Sequence, residues 1–236
     1  MGLALKSGHL LATLDGAARH HGPVAFSSSL SVEDMVITDA ILVNGLDIEI
    51  FTIDTGRLHA ETLSLVDAIA QRYGHAVKVY HPDPAAVANY VTLHGSDAFY
   101  DSIELRKQCC HLRKVEPLER ALAGKRGWVT GLREVPGARE QLAITQFDET
   151  YGMVKINPLV QWSPADVWAY LRERNVPWNR LYDQGYRSIG CAPCTRPTLP
   201  CEDERAGRWW WEAGTVRECG LHLDGHGHLV RTKELA

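Results

Sequence analysis

Two pairs of cysteines, roughly eighty residues apart, constrain the fold of this chain more than any other feature. Cys109 and Cys110 are adjacent, whereas Cys191 and Cys194 form a Cys-x-x-Cys turn. Such a turn lets two thiolates converge on one metal, but adjacent cysteines fit a mononuclear zinc site poorly. A cubane iron–sulfur cluster has four separate irons and accepts thiolates from less regular positions. The spacing therefore favours an iron–sulfur centre, with a zinc staple and unrelated buried cysteines as alternatives.

Composition narrows the class of protein. With 236 residues and 45% hydrophobic content, the chain is long enough for one large domain. A net charge of -4 gives no electrostatic footprint for DNA or RNA. The start of the chain carries no secretory signal, and no stretch is apolar enough to span a bilayer, so we expect a cytoplasmic protein without membrane contact. Six cysteines in such a protein indicate metal or redox chemistry rather than disulfides.

Strands and helices are predicted to alternate along most of the chain. Short apolar stretches predict strands, and helical periodicity follows most of them. The predicted strands are 23–26, 47–53, 76–80, 128–131, 142–145 and 153–156. This alternation predicts an α/β fold, a mostly parallel sheet flanked by helices, with ligands at the carboxyl ends of the strands.

The domain organisation follows from the same pattern. We predict a single domain over 1–236, in which 1–22 is a packing helix and 23–174 is a nucleotide-binding α/β core. Residues 175–222, where regular periodicity fades, form a loop-rich C-terminal cover with a catalytic arm, and 223–236 are a tail. The segment Ser163-Pro164 predicts a helix start, because a capping residue precedes proline at the first helical position.

Two stretches are candidates for anion binding. Ser27-Ser28-Ser29 follows the first strand and precedes a helix, where unpaired N–H groups and the helix dipole favour negative charge. A plain turn or helix cap is the alternative for such a serine run. A basic amphipathic helix is predicted over 105–122, and its Lys114 could offset the charge of four thiolates and reach an anionic ligand. The alternative there is a solvated basic face.

Several further stretches occur in a defined order between Pro23 and His222. They are Ser27-Ser28-Ser29 with Glu33-Asp34-Met35, Phe51 to His59, Cys109-Cys110 with Arg113 to Leu118, Thr130 to Arg133, Gly185 to Arg196, Arg205 to Glu212, and Glu218 to His222. Together they resemble the assimilatory adenylyl-sulfate reductases, the iron–sulfur branch of the phosphosulfate reductases. No short motif among them is decisive alone, but their joint occurrence is highly specific.

The resemblance implies a fold and an activity. The fold would be similar to the adenine-nucleotide alpha-hydrolase-like, ATP-pyrophosphatase-type group, with the serine turn as a modified phosphate loop. The activity would be reduction of adenosine 5'-phosphosulfate (APS) to sulfite with release of AMP. Thioredoxin or a similar dithiol protein would supply the electrons. The sequence leaves the oligomeric state open, with a homo-oligomer among the options.

The resemblance also implies roles for individual residues. Cys219 would attack sulfur and carry an S-sulfocysteine intermediate. The ligands of a [4Fe–4S] cluster would be Cys109, Cys110, Cys191 and Cys194. The substrate-binding residues would be Ser27, Ser29, Thr52, Ile53, Lys114, Gly131, Arg205, Arg208 and His222.

The chain departs from the family pattern after Gly131-Leu132-Arg133. The family usually carries a second consecutive arginine there, but Glu134 follows and the next arginine is Arg139. The resemblance implies no role for one cysteine and two histidines late in the chain. We interpret Cys201 as a small loop residue, and His226 and His228 as part of a solvated tail.

Three other functions compete. A 3'-phosphorylated substrate (PAPS) would need extra basic groups at the ribose, and reductases of that kind generally lack the two cysteine pairs. A sulfur transferase acting on tRNA is disfavoured by the acidic balance of the chain. A zinc-stapled, non-catalytic nucleotide-binding module would make Cys219 dispensable.

Overall fold

The computed structural model describes residues 2–134 and 142–212. In chain order the helices are α1 (Leu3–His21), α2 (Val32–Val43), α3 (Ala60–Tyr73), α4 (Pro84–His94), α5 (Ile103–Cys110), α6 (Glu116–Leu122) and α7 (Pro164–Glu173). The strands are β1 (Val24–Ser27), β2 (Ile48–Ile53), β3 (Lys78–Tyr80), β4 (Gly127–Val129), β5 (Thr145–Asp148) and β6 (Met153–Ile156). Among these helices, none is both long and apolar enough to cross a membrane.

The strands form one six-stranded sheet in the order β3-β2-β1-β4-β6-β5. β1 pairs in parallel with β2 and β4, and β4 pairs in parallel with β6. β5 is antiparallel to β6 at the sheet edge. Parallel neighbours separated by helices confirm the predicted α/β architecture.

Local sequence explains where the main elements begin. Ser31 caps α2 by accepting a hydrogen bond from the Asp34 N–H. Ser163 and Asp166 form a reciprocal capping box at the start of α7, with Pro164 at the first helical position, as predicted. The helix predicted at 105–122 begins earlier, because Ser102 caps α5 through the Leu105 N–H. It also contains a π-helical segment, His111–Val115, between α5 and α6.

One strand prediction was wrong in position. The sequence predicted a strand at 142–145, but β5 begins at Thr145 and ends at Asp148. The described residues from 175 to 212 contain no α-helix or named strand, only the 3-10 turns Arg180–Gln184 and Ala192–Cys194, which agrees with the predicted loop-rich region.

The chain divides into two compact units. The first consists of Met1–Thr52, Ser64–Lys78 and Leu122–Asn179, and the second of Ile53–Leu63, Val79–Ala121 and Arg180–Ala236. Large apolar side chains fill the interior of the first unit, among them the fully buried Phe26, Met35 and Ile50. The predicted single domain over 1–236 stays a prediction.

Candidate functional site

The serine turn follows β1 in the first unit, at the carboxyl end of a central strand. The Ser28 N–H donates to the Phe51 carbonyl at 2.8 Å, and its hydroxyl accepts from the Leu30 N–H at 3.2 Å. Leu30 has φ of 62°, a backbone conformation that residues other than glycine rarely adopt. Backbone strain of this kind clusters at ligand-binding turns. The turn thus differs from a plain cap by its strained, hydrogen-bonded backbone.

Asp34 organises the inside of the serine turn. Its Oδ2 accepts hydrogen bonds from both the N–H and the hydroxyl of Ser29, each at 2.6 Å. Burial raises the pKa of the Asp34 carboxyl to about 6, although the two Ser29 hydrogen bonds act in the opposite direction. A side chain at Gly131 would overlap Asp34 Oδ1, which explains why glycine occupies that position. Gly131 and Ser29, both predicted to bind substrate, therefore meet the same carboxylate.

Two further groups lie at this end of the first unit. The Trp128 indole N–H donates to the Ser27 hydroxyl at 2.7 Å. Arg133 donates to Glu33 at 2.8 Å, so the single arginine after Gly131 is held by a carboxylate of α2. Thr52, the last residue of the first unit on β2, is buried. Ile53, the final residue of the same strand, belongs to the second unit.

The Cys-x-x-Cys turn lies in the second unit and is fixed at its first cysteine. Cys191 forms an antiparallel bridge with Leu58, and the Ala192 N–H donates to the Arg57 carbonyl at 2.7 Å. The Cys191 sulfur lies 3.2 Å from the Thr55 hydroxyl. The segment that follows β2 therefore positions the first of the late cysteines.

The adjacent cysteine pair approaches the turn from α5. Phe99, Cys194 and Trp209 form a buried cluster, against which Cys109, Cys191 and Trp211 pack. Three of the four predicted ligands therefore lie together, although they are far apart in sequence. Cys110, the last residue of α5, lies near Tyr90, whose pKa is raised chiefly by burial and further by the charges of both cysteines.

The helix that carries the cysteine pair is locked to the segment beside Cys191. From the π-helical segment, Arg113 donates to the Thr55 carbonyl at 2.8 Å. Burial raises the pKa of Cys109, an effect that the Arg113 charge opposes. Burial also raises the pKa of Cys194 to about 12, and the neighbouring Cys191 adds to this. Burial therefore favours the protonated form of Cys109 and Cys194, a preference that nearby cations or thiolate ligation of a metal would offset.

Arg106 and Arg208 lie beside this cluster in the second unit, and Arg205 precedes Arg208 by one turn, with its carbonyl accepting from the Arg208 N–H at 2.9 Å. Arg208 is buried, bridges Thr195 through its backbone and stacks on the Trp209 ring at 4.8 Å. A Cβ at Gly190 would overlap the Arg208 guanidinium, so glycine makes room for it. Arg106 lies over the Trp209 ring at 4.4 Å, and Trp209 itself has φ of 43°. Two guanidinium groups and a strained, buried aromatic residue thus adjoin the cysteine turn.

Comparison with known proteins identifies the family. Residues 23–197 match the family model of the phosphoadenosine phosphosulfate reductase domain. The chain belongs to this family. Among curated members, this reductase chain is 53% identical to the adenosine 5'-phosphosulfate reductase of Burkholderia cepacia, over 94% of this chain and 89% of the relative. It is 50% identical to the protein of the same name from Allochromatium vinosum, over 89% of this chain and 82% of the relative.

Solved structures of similar proteins agree with the fold. The phosphoadenylyl-sulfate reductase of Candida auris, solved as a phosphate complex, superposes with a TM-score of 0.69 at 29% identity, covering 79% of this chain and 90% of that one. The FMN adenylyltransferase of Candida glabrata, solved with ATP, gives a TM-score of 0.57 at 17% identity, covering 83% and 63%. The reductase chain therefore has the adenine-nucleotide alpha-hydrolase-like fold.

The predicted residues fall into three groups. Ser27, Ser29, Thr52 and Gly131 belong to the first unit, and Ile53, Lys114, Arg205, Arg208 and the four cysteines to the second. Cys219, His222 and Arg139 lie outside the described residues. The sequence assigned no role to Asp34, Arg106 or Trp128, because each contacts a residue that is distant in sequence or lies inside a turn.

Proposed function

We propose that this phosphosulfate reductase reduces APS to sulfite and releases AMP, with thioredoxin or a similar dithiol protein as the reductant. The observation that carries the proposal is the 53% identity, over nearly the whole chain, with a protein named adenosine 5'-phosphosulfate reductase. The reductase named for the 3'-phosphorylated substrate is more distant, at 29% identity. We therefore propose APS as the substrate, after which the more similar relatives are named.

The cysteine site fits a [4Fe–4S] cluster. Cys194 lies in an apolar cluster against which Cys109 and Cys191 pack, Arg106 and Arg208 lie near it, and the buried Trp209 Nε1 has no acceptor among the described residues. Within 2–134 and 142–212, no three Cys, His, Asp or Glu side chains converge as ligands of one metal ion. Thiolates spread around the corners of a cubane need no such common point, whereas a zinc staple does.

We therefore assign Cys109, Cys110, Cys191 and Cys194 as the residues that would hold this cluster. Thiolate ligation would displace the protons that burial otherwise favours on Cys109 and Cys194. When bound, the cluster would order the ends of α5 and the Cys-x-x-Cys turn and adjust the electrostatic field near the substrate sulfate. The electrons themselves come from thiols.

In each unit, residues named by the family resemblance offer groups that could bind the substrate. Ser27, Ser29, Thr52, Ile53 and Gly131 would line the nucleotide, because the serine turn and the β2 end offer backbone and hydroxyl groups at the carboxyl ends of strands. Lys114, Arg205, Arg208 and His222 would bind the phosphosulfate. Paired guanidinium groups on an aromatic base suit a bidentate grip on an anion and would stabilise the departing AMP phosphate.

Three thiols, one from this chain and two from thioredoxin, are enough to reduce the sulfate group to sulfite. The Cys219 thiolate attacks the sulfate sulfur, the S–O bond to the AMP phosphate breaks, and S-sulfocysteine forms. A thioredoxin thiolate then attacks the Cys219 sulfur, which releases sulfite and leaves a mixed disulfide that the second thioredoxin thiol resolves. Sulfur gains two electrons, and the dithiol loses two by becoming a disulfide.

Side-by-side turnover tests the substrate. With thioredoxin as reductant, sulfite release from APS should exceed that from PAPS by at least about a hundredfold in kcat/KM, the scale expected when a buried site must accept an extra dianion. Equal or greater turnover of PAPS would contradict the proposal.

Metal analysis tests the cluster. Anaerobically purified protein should contain about four irons and four acid-labile sulfides per chain. Cys191→Ser should lose both, whereas Cys201→Ser, which changes an exposed cysteine, should retain them. Zinc without sulfide in the parent protein would favour the stapled, non-catalytic alternative.

A further inference from the structure

A hydrogen bond between β4 and the serine turn has no part in the scheme above. Trp128 is buried on β4, and its indole N–H donates to the Ser27 hydroxyl at 2.7 Å. Ser27 ends β1, and the neighbouring strand β4 pairs with β1 through Trp128 opposite Ala25. Adjacent strands of one sheet therefore fix the distance between the indole and the hydroxyl.

This bond determines which way the Ser27 hydroxyl can act. An indole N–H is only a donor, whereas a serine hydroxyl has one proton and two lone pairs. Because one lone pair of Ser27 Oγ is taken by Trp128, the rotor is restricted and its own proton points elsewhere. Among the residues that the structure describes, that proton has no acceptor. Ser27 is thus set to donate to a group outside the described protein atoms.

A buried lysine braces the indole from the next strand. Lys155 on β6 pairs in register with Trp128, and its ammonium lies 4.6 Å from the centre of the Trp128 ring. Lys155 is 1% exposed, and Asp148 on β5, also fully buried, lies 4.0 Å from the ammonium. A desolvated cation over an indole face is a strong form of the cation–π contact. The edge of the Tyr151 ring closes the site at 5.3 Å.

We propose that Trp128, braced by Lys155, is a positioning residue that fixes the Ser27 hydroxyl as a hydrogen-bond donor to the bound nucleotide. This inference rests on the proposed nucleotide-binding role of the serine turn. Removing the indole N–H frees the hydroxyl rotor and allows it to present a lone pair where an acceptor of the nucleotide requires a proton. The loss should fall on nucleotide binding rather than on chemistry at sulfur, because Ser27 is assigned to the nucleotide and the attack on sulfur to Cys219.

The variant Trp128→Phe tests the positioning role, since phenylalanine keeps an aromatic face for Lys155 but has no N–H. It should raise the dissociation constant of AMP and the KM of APS about three- to tenfold, the effect of one neutral hydrogen bond. The kcat should stay within about twofold of the parent value. Trp162→Phe is the matched control, because Trp162 is equally buried in the first unit, and it should change neither constant.

A double-mutant cycle separates positioning from general packing. If the indole acts through Ser27, Trp128→Phe combined with Ser27→Ala should bind AMP no worse than Ser27→Ala alone. Additive losses would overturn the inference, as would a Trp128→Phe variant that binds AMP like the parent while Ser27→Ala binds it weakly. Unchanged AMP binding by Ser27→Ala would instead remove the nucleotide role of the turn itself.

A spectroscopic measurement covers the case in which Trp128→Phe fails to fold. In parent protein labelled with 15N-tryptophan, the Trp128 indole N–H resonance, assigned through Ser27→Ala, should exchange slowly with water and shift when AMP is added. A rapidly exchanging resonance that AMP does not move would overturn the proposal.

Discussion

Gly190 controls the position of Arg208 at the scale of single residues. A Cβ at Gly190 would overlap the guanidinium of Arg208, which is buried and held against the Trp209 ring. We expect Gly190→Ala to displace this cation and to lower kcat/KM for APS at least about tenfold, since one charge-assisted hydrogen bond to an anion is lost.

The matched control for that substitution is Gly8→Ala on α1, where an added Cβ meets nothing within 4 Å. Gly8→Ala should leave kcat/KM unchanged and stabilise α1 slightly. Steady-state sulfite release measures both variants, and iron analysis of Gly190→Ala establishes whether the neighbouring Cys191 still binds its ligand. If Gly190→Ala had the same kcat/KM for APS as the parent protein, the position of Arg208 would not matter for turnover.

Asp34 makes the stability of the fold depend on pH. Burial raises the pKa of this carboxyl to about 6, above its value in the unfolded chain. The native state therefore binds the proton more tightly, and its stabilising effect is complete below pH about 4 and lost as pH rises through about 6. The difference corresponds to at most roughly 3 kcal/mol.

Thermal unfolding between pH 4 and 7 tests this dependence. Relative to Asp34→Asn, the parent protein should lose stability as pH rises through about 6 and then show a constant difference. Asp47→Asn, which changes an exposed carboxyl, should follow the parent at every pH. A stability difference between parent and Asp34→Asn that does not vary with pH would mean that Asp34 ionises normally.

At the scale of elements, a buried ion pair joins α5 to the segment after the Cys-x-x-Cys turn. Arg106 and Glu212 form two hydrogen bonds, one between Nη2 and Oε2 at 3.1 Å and a shorter one between Nε and Oε1, and both side chains are about 5% exposed or less. Removing one member of a buried pair leaves the other charge buried without a partner, whereas removing both lowers the free energy of unfolding less.

We expect Glu212→Met to lower the free energy of unfolding by about 3–5 kcal/mol and the double variant Arg106→Met/Glu212→Met to recover part of that loss. Anaerobic thermal unfolding measures the difference. Asp15→Ala, which removes a surface ion pair with Arg19 on α1, should change the Tm little. A double variant less stable than Glu212→Met would show that Arg106 stabilises the fold even without Glu212, and would contradict this expectation.

The order of elements was predictable because it depends on local signals. Serine caps, short apolar runs and Pro164 located the starts of β1, α2 and α7 within a residue or two. β5 was displaced because antiparallel pairing decided its register. Asp148 pairs with Met153 across a turn that contains Gly152 at φ of 62°, and this geometry overrides the apolar stretch before Thr145.

The π-helical segment was not predictable, because apolar periodicity does not distinguish one wide turn inside an otherwise helical stretch. Arg113, within this segment, reaches the Thr55 carbonyl beside Cys191. Wide turns of this kind are frequent at functional sites.

At the scale of the whole molecule, the cysteine spacing carried information about the site, whereas the contacts that support the site could not be predicted from the sequence. The spacing predicted that the two pairs meet, which stays a prediction for all four; Cys194 is buried in a cluster against which Cys109 and Cys191 pack. By contrast, Trp128 and Ser27 lie 101 residues apart, and Arg106 and Glu212 lie 106 apart. Such pairs depend on strand order and on the path of the loops, which single-sequence patterns do not encode.

In the mechanism that we propose, a protein thiol takes an SO3 group from a nucleotide sulfate before any reductant acts. Intact-mass analysis of the protein after incubation with APS, without any dithiol, tests this step. Each chain should gain one SO3 group on Cys219 with release of one AMP, and Cys219→Ser should gain none while retaining its iron. AMP release without a protein adduct, or an adduct that persists in Cys219→Ser, would contradict it.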